Sequence, residues 1–377
     1  MNFNDFKAGT WKKQYQYKSF SPVLINHGWL WDDPSINILL ESATRALGEL
    51  NAFSFIIPNV DLFIEMHIAK EAHTSSRIEG TRTSFETELM PEDAIAPEMR
   101  DDWHEVRNYV AAMNMAIQEL PHMPVSTRLL CRAHAILMQG VRGQNKNPGE
   151  YRRSQNWIGG SGPMDAAFVP PHHDEVPELM GDLEKFLHNE DIEVPDLVRA
   201  AIAHYQFETI HPFSDGNGRV GRLLITLYLV SRGILQKPTL YLSDFFERNR
   251  SSYIDSLMRV RTANDIGHWV RFFLAGVLEI SKKGRETFQS IQALREEVAH
   301  QCLGLGRRAQ KAERVLTVLY RSPIVSARDI ETELDVTSAT ANAIIRELVK
   351  LNILREITGM RRHRLYVFDR YLRLLTD

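Results

Sequence analysis

Apolar residues recur three to four positions apart along most of this chain, the spacing that lays one face of a helix against a core. Leu62, Ile64, Met66, Ile68 and Ala69 mark one such helix, started by the pair Pro58-Asn59 and stopped by Gly80. An earlier helix is expected over 35–50, from Pro34 to Leu50. Beyond Asp101, the set Trp103, Val106, Tyr109, Val110 and Met113 defines another, and Leu129, Leu130, Ala133, Ile136 and Leu137 the next. His134, on the latter, reads as a buried core histidine. Further helices are expected from Glu178 to His188, from Asp196 to Thr209, from Leu223 toward Gly233, after Asn249, and through Trp269, Phe272, Phe273, Leu274 and Leu278.

The helical pattern is interrupted three times. Residues 1–35 carry Trp11, Tyr15, Tyr17, Phe20, Trp29 and Trp31 without a period, which predicts an irregular arm over a helical body. Between Gly140 and Pro177 there are six glycines. There Gln155–Ile158 and Ala166–Val169, around Gly159-Gly160-Ser161-Gly162-Pro163, predict a β-hairpin. After a charged connecting helix over 282–308, helices at 311–321, 326–334 and 338–350 precede two strands, 353–356 and 364–368. This is the order of a winged helix-turn-helix, with 338–350 as reader and 358–363 as wing.

Composition narrows the class. The chain has 377 residues, 44% hydrophobic and 25% charged, with a net charge of −3, which fits two or three folded domains and excludes a disordered or fibrous chain. Charge is uneven: 305–377 holds fourteen Lys/Arg against nine Asp/Glu, a local net of +5 that suits phosphate partners. The reader helix offers only Ser338, Thr340, Asn342 and Arg346, so DNA contact and a protein-docking or dimerising role are both open. Cys131 and Cys302 form no disulfide or metal framework, which points to a reducing compartment. With no apolar signal core and no run near the ~20 residues of a membrane helix, the expectation is a cytoplasmic chain without a membrane partner. His172-His173-Asp174 is not taken as a metal site, because adjacent histidines are expected to point apart with no further ligand at hand.

The candidate chemistry is concentrated in Ile210-His211-Pro212-Phe213-Ser214-Asp215-Gly216-Asn217-Gly218-Arg219-Val220-Gly221-Arg222. Gly216 and Gly218 permit positive φ at the start of a helix, where unpaired N–H groups and the positive dipole end seat phosphate oxygens. Arg219 and Arg222, three apart, can clamp further phosphates. Asp215 is a candidate Mg²⁺ ligand, and His211 a candidate base for an incoming hydroxyl. Phe213 beside Pro212 reads as a buried anchor.

In this order the residues resemble the Fic family signature HxFx(D/E)GNGRxxR at every fixed position. The resemblance implies an all-α, Fic-type helical core with a small β-hairpin flap, plus the winged helix. It implies transfer of AMP from ATP to a Ser, Thr or Tyr hydroxyl of target proteins, and of the chain itself. In that picture His211 is the base, Asp215 the Mg²⁺ ligand, Gly216, Asn217 and Gly218 the α-phosphate seat, and Arg219 and Arg222 the outer-phosphate clamp. The flap over 155–169, led by Gly149-Glu150-Tyr151-Arg152, would bind the target's extended segment.

Upstream, Glu79 stands in the negative last turn of its helix and needs a cation. Ser75 shares its face, whereas Arg77, two away, does not. Ser75-Ser76-Arg77-Ile78-Glu79-Gly80 resembles the (S/T)xxxE(G/N) inhibitory motif of Fic proteins, which makes Ser75 and Glu79 inhibitory and Arg222 the expected partner. Asn249 and Tyr253, at i and i+4, either line an adenine pocket as in related Fic proteins or form a helix cap and a buried ring; Asn264 is a weaker nucleotide candidate.

The expected division is 1–100 for the region with the inhibitory helix, 101–281 for the core, 282–308 for the connector and 309–377 for the winged helix. Removal of AMP, transfer of another nucleotide moiety, and a nucleotide-sensing DNA-binding regulator are the alternatives. An intact His211 and Asp215 argue against the last. Oligomeric state, including a homo-oligomer, is left open.

Overall fold

The structure, a computed structural model, describes all residues except 57–59, 141–144 and 377. It is mainly helical, as expected. The chain opens not with an irregular arm but with a two-stranded antiparallel hairpin, β1 (Gly9–Lys13) and β2 (Lys18–Pro22), Trp11 facing Phe20 in register. Each strand carries a single aromatic residue, too little to set a period, which is why the sequence reading missed it. The hairpin braces the flap: the Phe20 amide donates to the Val169 carbonyl at 2.9 Å, and Trp11 packs edge to face on both Phe20 and Phe168, which lie tilted against each other.

The helices follow in order: α1 (Pro34–Ile56), α2 (Val60–Glu79), α3 (Phe85–Glu88), α4 (Arg100–Glu119), α5 (Thr127–Leu137), α6 (Val176–His188), α7 (Asp196–Ile210), α8 (Asn217–Ser231), α9 (Ser243–Arg248), α10 (Arg250–Ala263) and α11 (Ile266–Leu303). The Pro58-Asn59 start expected for α2 lies outside the described residues. Helix α1 runs beyond the expected Leu50 and lays Ile36, Ala43, Leu47 and Leu50 against α11. Leu50 sits over Gly284 of α11, where a Cβ would meet it at 3.1 Å. Helix α11 continues unbroken through 282, so the expected connector and the last core helix are one element. No glycine or proline pair breaks it there; the only glycines in it are the isolated Gly267, Gly276 and Gly284.

Helices α7 and α8 are the centre. Every residue from Leu197 to Ile210 is buried, and so are Val220 to Leu229, so both helices are covered on all sides. A fully buried helical hairpin has one free place for chemistry, the loop at its end, and that loop is 211–216. The flap closes over it through a single antiparallel pair, Ile158 with Phe168, rather than the two four-residue strands expected. The six-glycine stretch supplies turns but too few paired residues for a ladder.

C-terminally, α12 (Ala309–Arg321), β3 (Ile324–Ser326), α13 (Ala327–Leu334), α14 (Ser338–Lys350), β4 (Arg355–Glu356), β5 (Leu365–Val367) and α15 (Asp369–Thr376) form the helix-turn-helix with a three-stranded sheet of order β3-β5-β4. The third strand and α15 were not expected; β3 is only three residues and α15 ends the chain too soon for a clear period. Ser326 and Asp329 form a capping box that stops β3 and starts α13. This part packs directly on α2: the Phe63 ring lies against Tyr320 and Tyr371 at 5.3 and 6.2 Å, and Arg321 pairs with Glu65 at 3.4 Å. Phe63→Ala removes a ring that is 1% exposed. It should destabilise the protein by about 3–5 kcal/mol, read as a lowered denaturant midpoint.

Candidate active site

Helix α7 ends because His211 adopts the left-handed conformation, φ 51° and ψ 60°, with its amide capping Phe207 O at 2.9 Å. That turn throws the imidazole out of the helix line. Three groups hold the loop behind it. Arg152 donates through Nε to His211 O at 2.9 Å and through Nη2 to Pro171 O at 2.5 Å, tying the loop to the flap. Asn156 donates to the carbonyls of His211 and Phe213 at 3.2 and 3.0 Å. Asn217 bonds both the N–H and the C=O of Phe213 at 2.8 Å. Phe213 is fully buried, as expected, and stacks on His134 at 3.9 Å. His134 is itself spent between Gly149 N and Asp215 O, the satisfied core histidine the sequence suggested.

Gly216 takes φ 72° and Asn217 begins α8. Because the first helical bond is Val220 N to Gly216 O, the amides of 217–219 have no intrahelical partner and form an anion seat. One sequence expectation is corrected here. Gly218 does not have positive φ; its hydrogen is needed because a Cβ would collide with the Glu79 carboxylate and the Arg222 guanidinium. Asn217 serves the seat with its backbone, since its side chain is occupied in locking Phe213. Asp215 projects from the seat half-exposed, its Oδ1 accepting from Gly216 N at 2.6 Å.

The two arginines take different partners. Arg219 is buried and reaches Glu105 of α4 at 3.2 Å. Arg222, 3% exposed, donates to Ser75 Oγ at 2.8 Å, Ser75 O at 2.9 Å and Glu79 Oε1 at 2.7 Å. The cation that the dipole argument asked for is present, and it is the Arg222 that the motif resemblance implied, whereas Arg77 turns away to Glu247 at 3.0 Å. Burial alone would raise the Glu79 pKa, but Arg222, with Arg219 and His211, outweighs it and holds the carboxyl below its ordinary value. Its side chain nevertheless keeps 38% of its surface.

Sequence reasoning missed Arg152 and Asn156 as loop anchors, Glu105, and Glu208. Glu208 is buried on α7 three residues before His211, against Gly221, with Oε1 unpartnered; burial raises its pKa to about 7. The segment leading into the flap was the one signal for Arg152. Of the adenine-pocket candidates, the structure takes the buried-ring option for Tyr253: its ring stacks on Phe246 at 4.4 Å and its hydroxyl meets His204 at 2.9 Å. Asn249 opens α10 without a side-chain cap and donates to Phe245 O. Asn264 is remote, accepting from Ala8 N at 2.8 Å and so tying down the N-terminal arm. His172 and His173 do not point apart: their rings lie 4.1 Å apart, and with Asp174 their ligand atoms fall within 4.8 Å. A tight turn into α6 overrides the alternation an extended strand would have given.

Residues 124–229 match the Fic/DOC family, 38–118 the Fic/DOC family N-terminal region, and 313–366 an HTH DNA binding domain. The chain belongs to the Fic/DOC family. Curated relatives of this Fic chain include the protein adenylyltransferase Fic of Culex quinquefasciatus, 32% identical over 54% of this chain and 37% of that one. A probable protein adenylyltransferase of Aquifex aeolicus is 40% identical over 29% and 30%. The chain thus spans well under half the length of these relatives. A Fic family protein from Desulfovibrio desulfuricans shares the fold over 89% of this chain and 96% of its own, with TM-score 0.57 and 22% identity. A Fic domain containing signaling protein from Bacteroides thetaiotaomicron does so over 68% and 97%, with TM-score 0.51 and 18% identity. Among the described residues, no helix is long and apolar enough to cross a membrane.

Burial, then the Arg261 and Arg152 cations, lowers the His211 pKa from 6.5 to about 3. The ring is therefore neutral across working pH, with Nδ1 buried and lacking a well-formed hydrogen bond. Below pH 6.5 the unfolded chain takes up a proton there that the folded chain refuses, so this group withdraws stability as pH falls. Its ring resonances should stay constant between about pH 8 and about 5 by NMR. An inflection near 6.5 would contradict the burial argument.

Proposed function

We propose that this chain is a protein adenylyltransferase that moves AMP from ATP onto a Ser, Thr or Tyr hydroxyl, held at rest by Glu79. The observation that carries this is the meeting, on one loop, of a neutral imidazole, an amide seat and a guanidinium already engaged by a carboxylate. The target hydroxyl oxygen forms a bond to the α-phosphorus while the bond from phosphorus to the bridging oxygen breaks and pyrophosphate leaves. His211 accepts the hydroxyl proton. The 217–219 amides take the charge developing on the α-phosphate, and Arg222 and Arg219 hold the outer phosphates. Asp215, an exposed carboxylate beside the seat, fits as the residue that would hold Mg²⁺. The ion would supply neutralisation of phosphate charge. The flap, braced by β1 and β2, would receive the target's extended segment beside His211.

At rest, Glu79 occupies the guanidinium and repels a γ-phosphate, so ATP enters only with its α-phosphate misaligned; about 1 Å of misplacement can cost on the order of 10²-fold in rate. Glu79→Gly should raise self-modification sharply with little change in ATP affinity, measured with α-labelled ATP and by intact mass. Arg222→Ala should stay inactive, because it loses clamp and lock together, and Arg77→Ala should behave as the unaltered protein. Added phosphate mass instead of AMP would overturn the reaction. His211→Ala should lower transfer by ~10²–10⁴ while ATP binding persists.

The winged helix supports a second partner, duplex DNA, on the family match at 313–366 and on the exposed wing arginines Arg361, Arg362 and Arg364. Replacing Arg361 and Arg362 by Ala in the full chain should weaken DNA binding and flatten its salt dependence, each lost phosphate contact removing about one unit of slope. Absence of binding at low salt would leave a docking or dimerising role.

A further inference from the structure

The turn that carries the chain from the flap into α6 gathers three side chains able to ligate a metal. His172 precedes a single 3-10 turn, His173–Glu175, and α6 begins at Val176. His172 Nδ1 lies 3.2 Å from Asp174 Oδ2, and His173 Nε2 lies 3.6 Å from Asp174 Oδ1. One ligand atom from each of the three residues falls within 4.8 Å of the others. Among the described residues, no hydrogen bond or ion pair draws these side chains to a partner outside the trio. The Asp174 amide approaches His172 Nδ1 at 3.5 Å, too far to hold its lone pair firmly. His173 Nδ1 is buried without a partner, so the ring's usable nitrogen is Nε2, the one beside the carboxylate.

The choice lies between a plain ion-pair cluster and a bound cation. As a cluster the trio is poorly served, because 3.6 Å from His173 to Asp174 is beyond hydrogen-bond reach. As a donor set, two imidazoles and one carboxylate suit a borderline transition cation such as Zn²⁺, whereas Mg²⁺ and Ca²⁺ favour oxygen ligands. A tetrahedral ion with bonds of roughly 2.0–2.1 Å sets its ligand atoms about 3.3 Å apart. The separations of 3.2 and 3.6 Å bracket that edge. Closing the widest gap needs only side-chain rotation, and Asp174, with 78% of its side chain exposed, can swing. The backbone is set beforehand. Pro170 O accepts from Gln155 Nε2 at 3.0 Å and Pro171 O from Arg152 Nη2 at 2.5 Å. Glu175 accepts from Lys12 Nζ and Ser21 Oγ of the β1–β2 hairpin at 2.7 and 2.5 Å. A turn already held on both sides loses little further freedom on binding.

We propose that His172 Nδ1, His173 Nε2 and the Asp174 carboxylate hold one divalent transition ion of the Zn²⁺ class, with water in the fourth position. The ion ties the returning side of the flap to the start of α6. Through Pro171 and Arg152 it also stiffens the support behind His211. Neither claim rests on the transferase reading.

The full chain, stripped with a chelator and titrated with Co²⁺, tests the site through the ion's visible absorption, which is strong in a four-coordinate site and weak in water. One equivalent should give the strong band. Zn²⁺ should bleach it, and a large excess of Mg²⁺ should not. His172→Ala with His173→Ala should weaken binding by about tenfold or more, since even changes around the ligands of a metal site cost that much. Asp174→Asn, which keeps the shape and both imidazoles, should also weaken it and guards against misfolding of the double variant. Asp215→Ala should leave it intact. With Zn²⁺ bound, backbone amides of 155–171 should exchange more slowly. Absence of the band, bleaching by Mg²⁺, or binding that survives both sets of substitutions would overturn the site. So would loss of binding in Asp215→Ala, which would place the ion on the loop after α7. Unchanged exchange over 155–171 at saturation would overturn the bracing role.

Discussion

A buried guanidinium must be matched by acceptors, and much of this molecule is arranged around that requirement at Arg222. It is 3% exposed, and burial by itself would lower its pKa; the Glu79 carboxylate reverses the effect and holds the cation firmly charged. Taking Glu79 away without a substitute would leave a buried charge unpaired, a cost of several kcal/mol. Ser75 supplies two acceptors but no charge. The negative charge that faces Arg222 is therefore the Glu79 carboxylate.

The carboxylate is delivered by α2, whose twenty residues touch three different parts of the protein. Phe63 sits in the aromatic cluster with Tyr320 and Tyr371, Glu71 lines a cavity shared with α11, and Glu79 reaches the loop. A helix is stiff along its axis, so these contacts share one rigid body. Glu79 also ends it: Gly80 follows with φ 111°, a conformation that a side chain would resist. The carboxylate thus sits where α2 has its last backbone constraint and most freedom to move.

The sequence was most legible where the chemistry is compressed into contiguous residues. His211 to Arg222 and Ser75 to Glu79 could be read because each set lies within four turns of chain, and the dipole argument at Glu79 named a missing cation before a partner was visible. The helical body was legible through its period. What escaped had short or aperiodic signatures: the β1–β2 ribbon, the three-residue β3, and the single pair that closes the flap. Arg152, Asn156 and Glu105 escaped for another reason. Their partners lie 55 to 114 residues away, so apart from the flap-leading segment around Arg152 nothing in their neighbourhood marks them. The expectation for Gly218 failed instructively: the right residue was chosen for a conformational reason, when the operative constraint is the space taken by Glu79 and Arg222.

The charge balance at the loop also explains why Glu208 can sit unpaired three residues from His211. Burial raises its pKa first, Arg222 and Arg261 pull it down, and the Glu79 charge pushes it back up, leaving it at about 7. One carboxylate suffices for Arg222, so the second is kept near neutrality. The low proton affinity of His211 comes first from burial and then from Arg261 on α10 and Arg152 beside the flap, with the Glu79 charge acting the other way.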